Sequence, residues 1–167
     1  MTARFGTVLM AGALVLGGAC APAAAPPKAT LTAASIVPLQ SVENLVLASV
    51  KINRSDQAAV FTVDTGASKT IMSPLLARRL GLTVPRDAVR HDLRIVGGTV
   101  VTVPFIRVSS LQVGEAMIEE MEVGIYDFAP DTRVIDGMLG GDFLNRFRVT
   151  FDQAARRMTL EPLPAAR

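Results

Sequence analysis

Asp64 is the only aspartate in the chain followed by Thr-Gly, and it closes an apolar run. Residues 61–68 read Phe-Thr-Val-Asp-Thr-Gly-Ala-Ser. An apolar strand here delivers a carboxylate into a glycine turn. A carboxylate so placed can serve as a general acid or a general base. By itself Asp-Thr-Gly is a weak signal, because so short a motif recurs by chance. A plain Asx-type turn after a strand reads the same way.

Other chemistries are poorly supplied. The chain has one histidine, His91, and one cysteine, Cys20. A Ser–His–Asp triad would have to use His91, and no Gly-x-Ser-x-Gly accompanies it. A zinc-protease His-Glu-x-x-His needs two histidines. Neither an internal disulfide nor a zinc site on cysteine pairs can form. Net charge is +2, with adjacent basic pairs only at Arg78–Arg79 and Arg156–Arg157, which read as solvated surface. No basic stripe interleaved with aromatics points to nucleic acid. His91 reads as hairpin packing, Asp142 as a helix cap and Asp152 as part of a closing turn. Arg146 and Arg148 flank Phe147 and are candidates to pair with carboxylates near a subunit interface. The seven methionines read as core filling.

A second motif lies downstream: Ile135-Asp-Gly-Met138-Leu139-Gly140-Gly-Asp-Phe143-Leu144, then Phe147-Arg-Val149-Thr-Phe151-Asp152. With these two motifs in this order, the sequence resembles the retropepsin-like aspartic proteases, particularly their bacterial members. The resemblance covers roughly residues 42–161. It implies that Met138, Leu139 and Gly140 thread beside the Asp64 loop. It also implies a glycine-tipped flap over the substrate, which Ile95, Val96, Gly97 and Gly98 fit by position. No Tyr occurs in that segment, as in the dimeric branch of the family.

The chemistry implied is peptide hydrolysis. Two carboxylates about 3 Å apart share one proton. The ionised one activates water, and the protonated one polarises the carbonyl. One chain supplies one such Asp, because Asp136-Gly137 lacks the intervening hydroxyl residue. The resemblance therefore implies a homodimer with Asp64 facing its copy across a two-fold axis. It assigns Thr65 a hydrogen bond across that axis, Gly66 a close approach to the carboxylates, and Ala67 the residue of the dimeric branch. No metal or cofactor is implied. Val63, Ile95, Val96, Ile135 and Met138 suggest an apolar groove for a peptide.

The elements that must position these residues are strands. Val, Ile, Leu, Thr and Gly dominate and Trp is absent, which favours short strands. Leu45–Ile52 and Ala58–Val63 form a hairpin over Asn53–Asp56, and Thr70–Met72 extends again. Ser73 caps and Pro74 opens a short helix that Gly81 ends. Strands at Asp92–Val96 and Val100–Val108 flank Gly97-Gly98. A further hairpin joins Leu111–Val113 to Met117–Ile125, and a loop spans Tyr126–Val134. A short helix at Asp142–Phe147 precedes a last hairpin, Arg148–Asp152 with Arg157–Leu160. The expected fold is all-β: one retropepsin-like acid-protease lobe, closed and barrel-like, with two short helices. The chain of 167 residues suits one domain.

Arg4, the apolar run Val8–Ala19 and the small residues after it form a secretory signal. Residues 1–19 are read as that signal, 20–35 as a Pro/Ala-rich tether, 36–161 as the protease domain and 162–167 as a tail. Leu16-Gly-Gly-Ala-Cys20 resembles a bacterial lipobox, with Gly17 standing where Leu or Val is usual. Two routes fit: lipidation at Cys20, giving a membrane anchor, or ordinary cleavage at Ala19-Cys20-Ala21 or Ala21-Pro22-Ala23. Both give an exported protein, periplasmic or tied to the envelope. The rival to the enzyme is a non-catalytic peptide-binding or scaffold module of the same fold.

Overall fold

Alternating burial along the chain drives its strands together. The computed structural model describes residues 27–95, 97–127 and 134–164. The strands are β1 (Lys28–Thr30), β2 (Ser35–Pro38), β3 (Gln40–Val42), β4 (Leu45–Ile52), β5 (Ala58–Val63), β6 (Ile71–Met72) and β7 (Arg90–Arg94). They continue as β8 (Val100–Val113), β9 (Ala116–Ile125), β10 (Gly137–Leu139), β11 (Phe147–Asp152) and β12 (Arg157–Pro162). Two short helices, α1 (Pro74–Arg79) and α2 (Gly141–Leu144), complete the set. The all-β class read from the sequence holds.

Six strands pair in a closed circuit: β9–β6–β10–β5–β4–β8 and back to β9. β10 runs parallel to β5 and antiparallel to β6, with Gly137 opposite Phe61 on one side and Met72 on the other. The chain leaves β5, crosses the end of β10 and returns as β6. That crossing is the Asp64 loop. β7 extends β8 outward as a hairpin, and a separate sheet runs β11–β12–β2. The core fills the space between, with Phe61, Met72, Leu111, Ile118, Leu139, Phe143, Met158 and Leu160 all buried.

Turn chemistry sets the hairpins. Asn53 and Arg54 both take positive φ, 54° and 55°, and the Ser55 amide donates to Ile52 at 3.0 Å. This is a tight turn directly after β4, from which residues 55–57 lead into β5. Ser73 caps α1 by accepting from the Leu76 amide at 3.1 Å, and Gly81 turns the chain out at φ 69°.

Several elements differ from the sequence reading, among them β2 and β3, which precede the first expected strand. β8 is one strand of 14 residues rather than two. Ser109 and Ser110, which read as a break, are satisfied by the β4–β5 turn. Asn53 Oδ1 accepts from the Ser109 amide at 2.8 Å, and Ser110 Oγ accepts from the Arg54 amide at 3.1 Å. Lys28–Thr30, inside the Pro/Ala-rich stretch, pairs with Met117–Glu119 of β9. The second helix is shorter than expected, and Phe147 already belongs to β11. Cys20, Val96 and the signal segment lie outside the described residues.

Candidate active site

The last rung of the β5–β10 ladder fixes Asp64. Its amide donates to the Leu139 carbonyl at 3.0 Å, one step beyond the Val63–Leu139 pair. The side chain then folds back on its own loop. Oδ1 accepts from the Gly66 amide at 2.8 Å and from the Ala67 amide at 3.2 Å. A Cβ on Gly66 would sit 3.2 Å from that oxygen, so a side chain there would press on the carboxylate. Asp64 is half-buried, while Thr65 and Gly66 are exposed. The carboxylate is thus fastened to its own loop yet keeps partial access to solvent.

Behind the loop, β10 and α2 form a brace. Ala67 and Ser68 carbonyls accept from the Gly141 and Asp142 amides at 2.7 and 3.2 Å. Asp142 reaches Thr70, which is fully buried. It accepts from the Thr70 amide at 2.9 and 3.0 Å and from the Thr70 hydroxyl at 2.6 Å. That hydroxyl in turn accepts from the Gly140 amide at 3.1 Å. Asp142 therefore does not cap its helix, as its position suggests. The N-cap is Gly140, with no side-chain bond, because Thr70 claims the Asp142 carboxylate from 72 residues away.

Asp136, set aside in the sequence for want of a hydroxyl neighbour, is a second brace. Its Oδ2 accepts from the Val60 amide at 2.9 Å, and its Oδ1 meets Arg79 Nη2 at 3.1 Å. Its own amide and carbonyl bond to Val60 and Ser73. Gly137 follows because a Cβ there would lie 2.3 Å from the Phe61 ring. Sequence reading missed Thr70, Asp136 and Arg79 as site-forming residues. The signal available was the polar pair flanking Gly137–Gly140, with Asp136 on one side and Asp142 on the other.

The β7–β8 hairpin carries the expected flap residues. The Ile95 amide donates to Thr99 at 2.9 Å, and the Gly98 amide donates to Ile95 at 3.0 Å. Gly97 and Gly98 take φ of 88° and 84°, a region closed to most side chains. Arg94 donates from Nη1 to the Gly98 carbonyl at 3.1 Å and ties the tip to the strand. At the root, the Phe105 amide donates to Val89 at 2.8 Å, and His91 meets the Phe105 ring edge-on at 4.8 Å. His91 is packed as the sequence suggests. Asp152 accepts from the Ala155 amide at 2.9 Å in the closing turn. Among the described residues, neither Arg146 nor Arg148 is in a salt bridge.

The apolar groove candidates Val63, Ile95, Ile135 and Met138 are each half-buried. Two surface cavities of about 410 and 490 Å³ lie elsewhere, both lined by Lys51, Gln112 and Glu115, and neither is lined by the Asp64 loop.

Comparison with known proteins agrees with this geometry. The family model described as aspartyl protease matches residues 48–143, from β4 through the start of α2. Among solved structures, a retropepsin-like aspartic protease from Rickettsia conorii superposes with a TM-score of 0.58 at 16% identity, covering 81% of this chain and 95% of that one. The retroviral protease-like domain of Ddi1 from Leishmania major aligns with a TM-score of 0.46 at 20% identity, covering 72% of this chain and 94% of that one. No curated protein matches the sequence.

Proposed function

The chain belongs to the aspartyl protease family, with a retropepsin-like fold, and on that premise we propose that it is an aspartic endopeptidase acting as a homodimer. The observation that carries this reading is the disposition of the nearby carboxylates. Asp64 is fastened by Gly66 and Ala67, is half-buried, and is bonded to no residue outside its loop through its carboxylate among the described residues. The two other aspartates around β10 are already committed, Asp136 to Arg79 and Val60, and Asp142 to Thr70. The second carboxylate of the pair then comes from Asp64 of another copy.

In that dimer the two Asp64 side chains share one proton, held close by the loop amides. The ionised carboxylate takes a proton from a water between them as it attacks the peptide carbonyl. The protonated carboxylate donates to the developing oxyanion; the other carboxylate then passes the proton it took from water to the leaving amine, and collapse of the diol returns one proton to the pair. Exposed Thr65 is free to bond across the axis. The flap, with Gly97 and Gly98 at its tip, covers the substrate and excludes water.

The signal at residues 1–19 and the lone Cys20 support export, periplasmic or with a lipid anchor at Cys20. Metabolic labelling with a radioactive fatty acid tests the anchor, with Cys20→Ser as the control.

The decisive assay is cleavage of an unstructured protein by the chain and by Asp64→Asn, with solution mass measured on the same samples. The expected result is a dimer that cuts, and a folded variant at least about 1000-fold slower. A folded Asp64→Asn that still cuts would sink the mechanism. A well-folded dimer that binds peptides without cutting would make the protein a peptide-binding module.

A further inference from the structure

The loop that carries Asp64 also carries a cation. Lys69 lies on that loop just before Thr70 and is half-buried. Its ammonium stands 5.8 Å from the centroid of the Phe105 ring, at the root of the flap hairpin. The side chain therefore reaches from the Asp64 loop toward β8 at the root of the flap hairpin. Its main chain has no room to drift. Thr70 beside it is clamped by Asp142, and Gly140 approaches so closely that a Cβ there would lie 2.6 Å from the Lys69 carbonyl carbon and oxygen.

Among the described residues, Lys69 is in no salt bridge. The carboxylates of neighbouring elements have other partners: Asp142 holds Thr70, Asp136 holds Arg79, Glu122 holds Arg107, and Asp92 accepts from Thr102. An aromatic face is a weak substitute for an anion at a partly desolvated ammonium. A cation on the loop of Asp64, near an aromatic ring and in no salt bridge among the described residues, is placed to take a carboxylate from a substrate bound over that loop.

We propose that Lys69 is a specificity-determining residue that binds an aspartate or glutamate side chain of the substrate, once on each side of the scissile bond by two-fold symmetry. This rests on the reading of the chain as half of a peptide-cleaving dimer. The apolar groove then fits the residues at the bond itself, and Lys69 reads the acidic residue beyond them.

The test uses the full chain and peptide sets that differ only by Glu, Gln or Lys at each position flanking the cleaved bond. The ratio of kcat/KM is read for cleavage, and the ratio of Kd is read in Asp64→Asn. At one or more positions Glu is favoured about five- to tenfold, as for a partly buried charged hydrogen bond. Lys69→Met brings that ratio to about one, Lys69→Glu turns the preference toward Lys, and Lys69→Arg keeps it. Cleavage with equal use of Glu and Gln at every position overturns the role of Lys69 and leaves the protease reading intact. Absence of cleavage, with Glu-selective binding that Lys69→Met abolishes, upholds Lys69 and overturns the protease reading. Neither cleavage nor selective binding overturns both. If Lys69→Met does not fold, the wild-type ratio and Lys69→Arg decide.

Discussion

Thr70 fastens the Asp64 loop to the rest of the molecule with one hydroxyl. It donates to Asp142 and accepts from the Gly140 amide, with no exposure to water. Thr70→Val keeps the shape but orphans the Gly140 amide and removes one of the donors to a carboxylate. A buried unmade hydrogen bond costs about 1–3 kcal/mol. Thr70→Val is therefore expected to lose about that much in urea unfolding, with kcat falling more than KM rises, since the loop loses its brace. Asp142→Asn still accepts from the Thr70 amide and should cost less than Asp142→Ala. None of this was legible in the sequence. Asp64-Thr65-Gly66 is a local motif whose geometry is made by adjacent residues, so it could be read directly. Asp142 met its partner only through the fold, and reading it as a helix cap followed the nearest local rule rather than the one that won.

Between β10 and the Asp64 loop, close backbone approach matters more than side-chain chemistry. A Cβ on Gly140 would meet the main chain of Lys69 at 2.6 Å, and main chain cannot swing aside as a side-chain tip can. Gly140→Ala is expected to cost about 1–3 kcal/mol by overpacking and, because Lys69 lies in the loop, to move Asp64. Gly81→Ala is the comparison. It sits at φ 69° with nothing within 4 Å, so it carries about 1–2 kcal/mol of strain without touching the loop. Measured by thermal melting and kcat/KM together, the two variants should lose similar stability, while Gly140→Ala alone loses activity. At this scale the sequence is informative where turns carry Gly, Asn or Pro, as at Asn53, Ser73–Pro74 and Gly97–Gly98. It is uninformative where pairing is made by main chain alone. Lys28–Thr30 joins β9 through its backbone with all three side chains exposed, so no apolar pattern marks it.

A single chain offers one half-buried Asp64 and commits Asp136 and Asp142 to structure, so the proposed mechanism stands on a second copy supplying the other carboxylate. Subunit mixing tests this directly. Suppose wild-type chains are mixed with an equal amount of Asp64→Asn and the copies exchange freely. Pairing at random leaves about a quarter of all dimers fully wild type, which is about half the number formed by the same wild-type chains alone. A site shared across the axis, dead when either carboxylate is replaced, therefore loses about half its total activity on mixing. A site complete within one chain loses none, because each wild-type copy continues to work beside an inert one. Dilution gives the same answer by another route. A shared site loses specific activity as the dimer dissociates, and a self-contained site holds it constant. A titration of Asp64→Asn into a fixed amount of wild-type protein, followed to several-fold excess, should thus fall steadily towards zero. A flat line would place both catalytic carboxylates in one chain and require one of the braced aspartates to leave its partner.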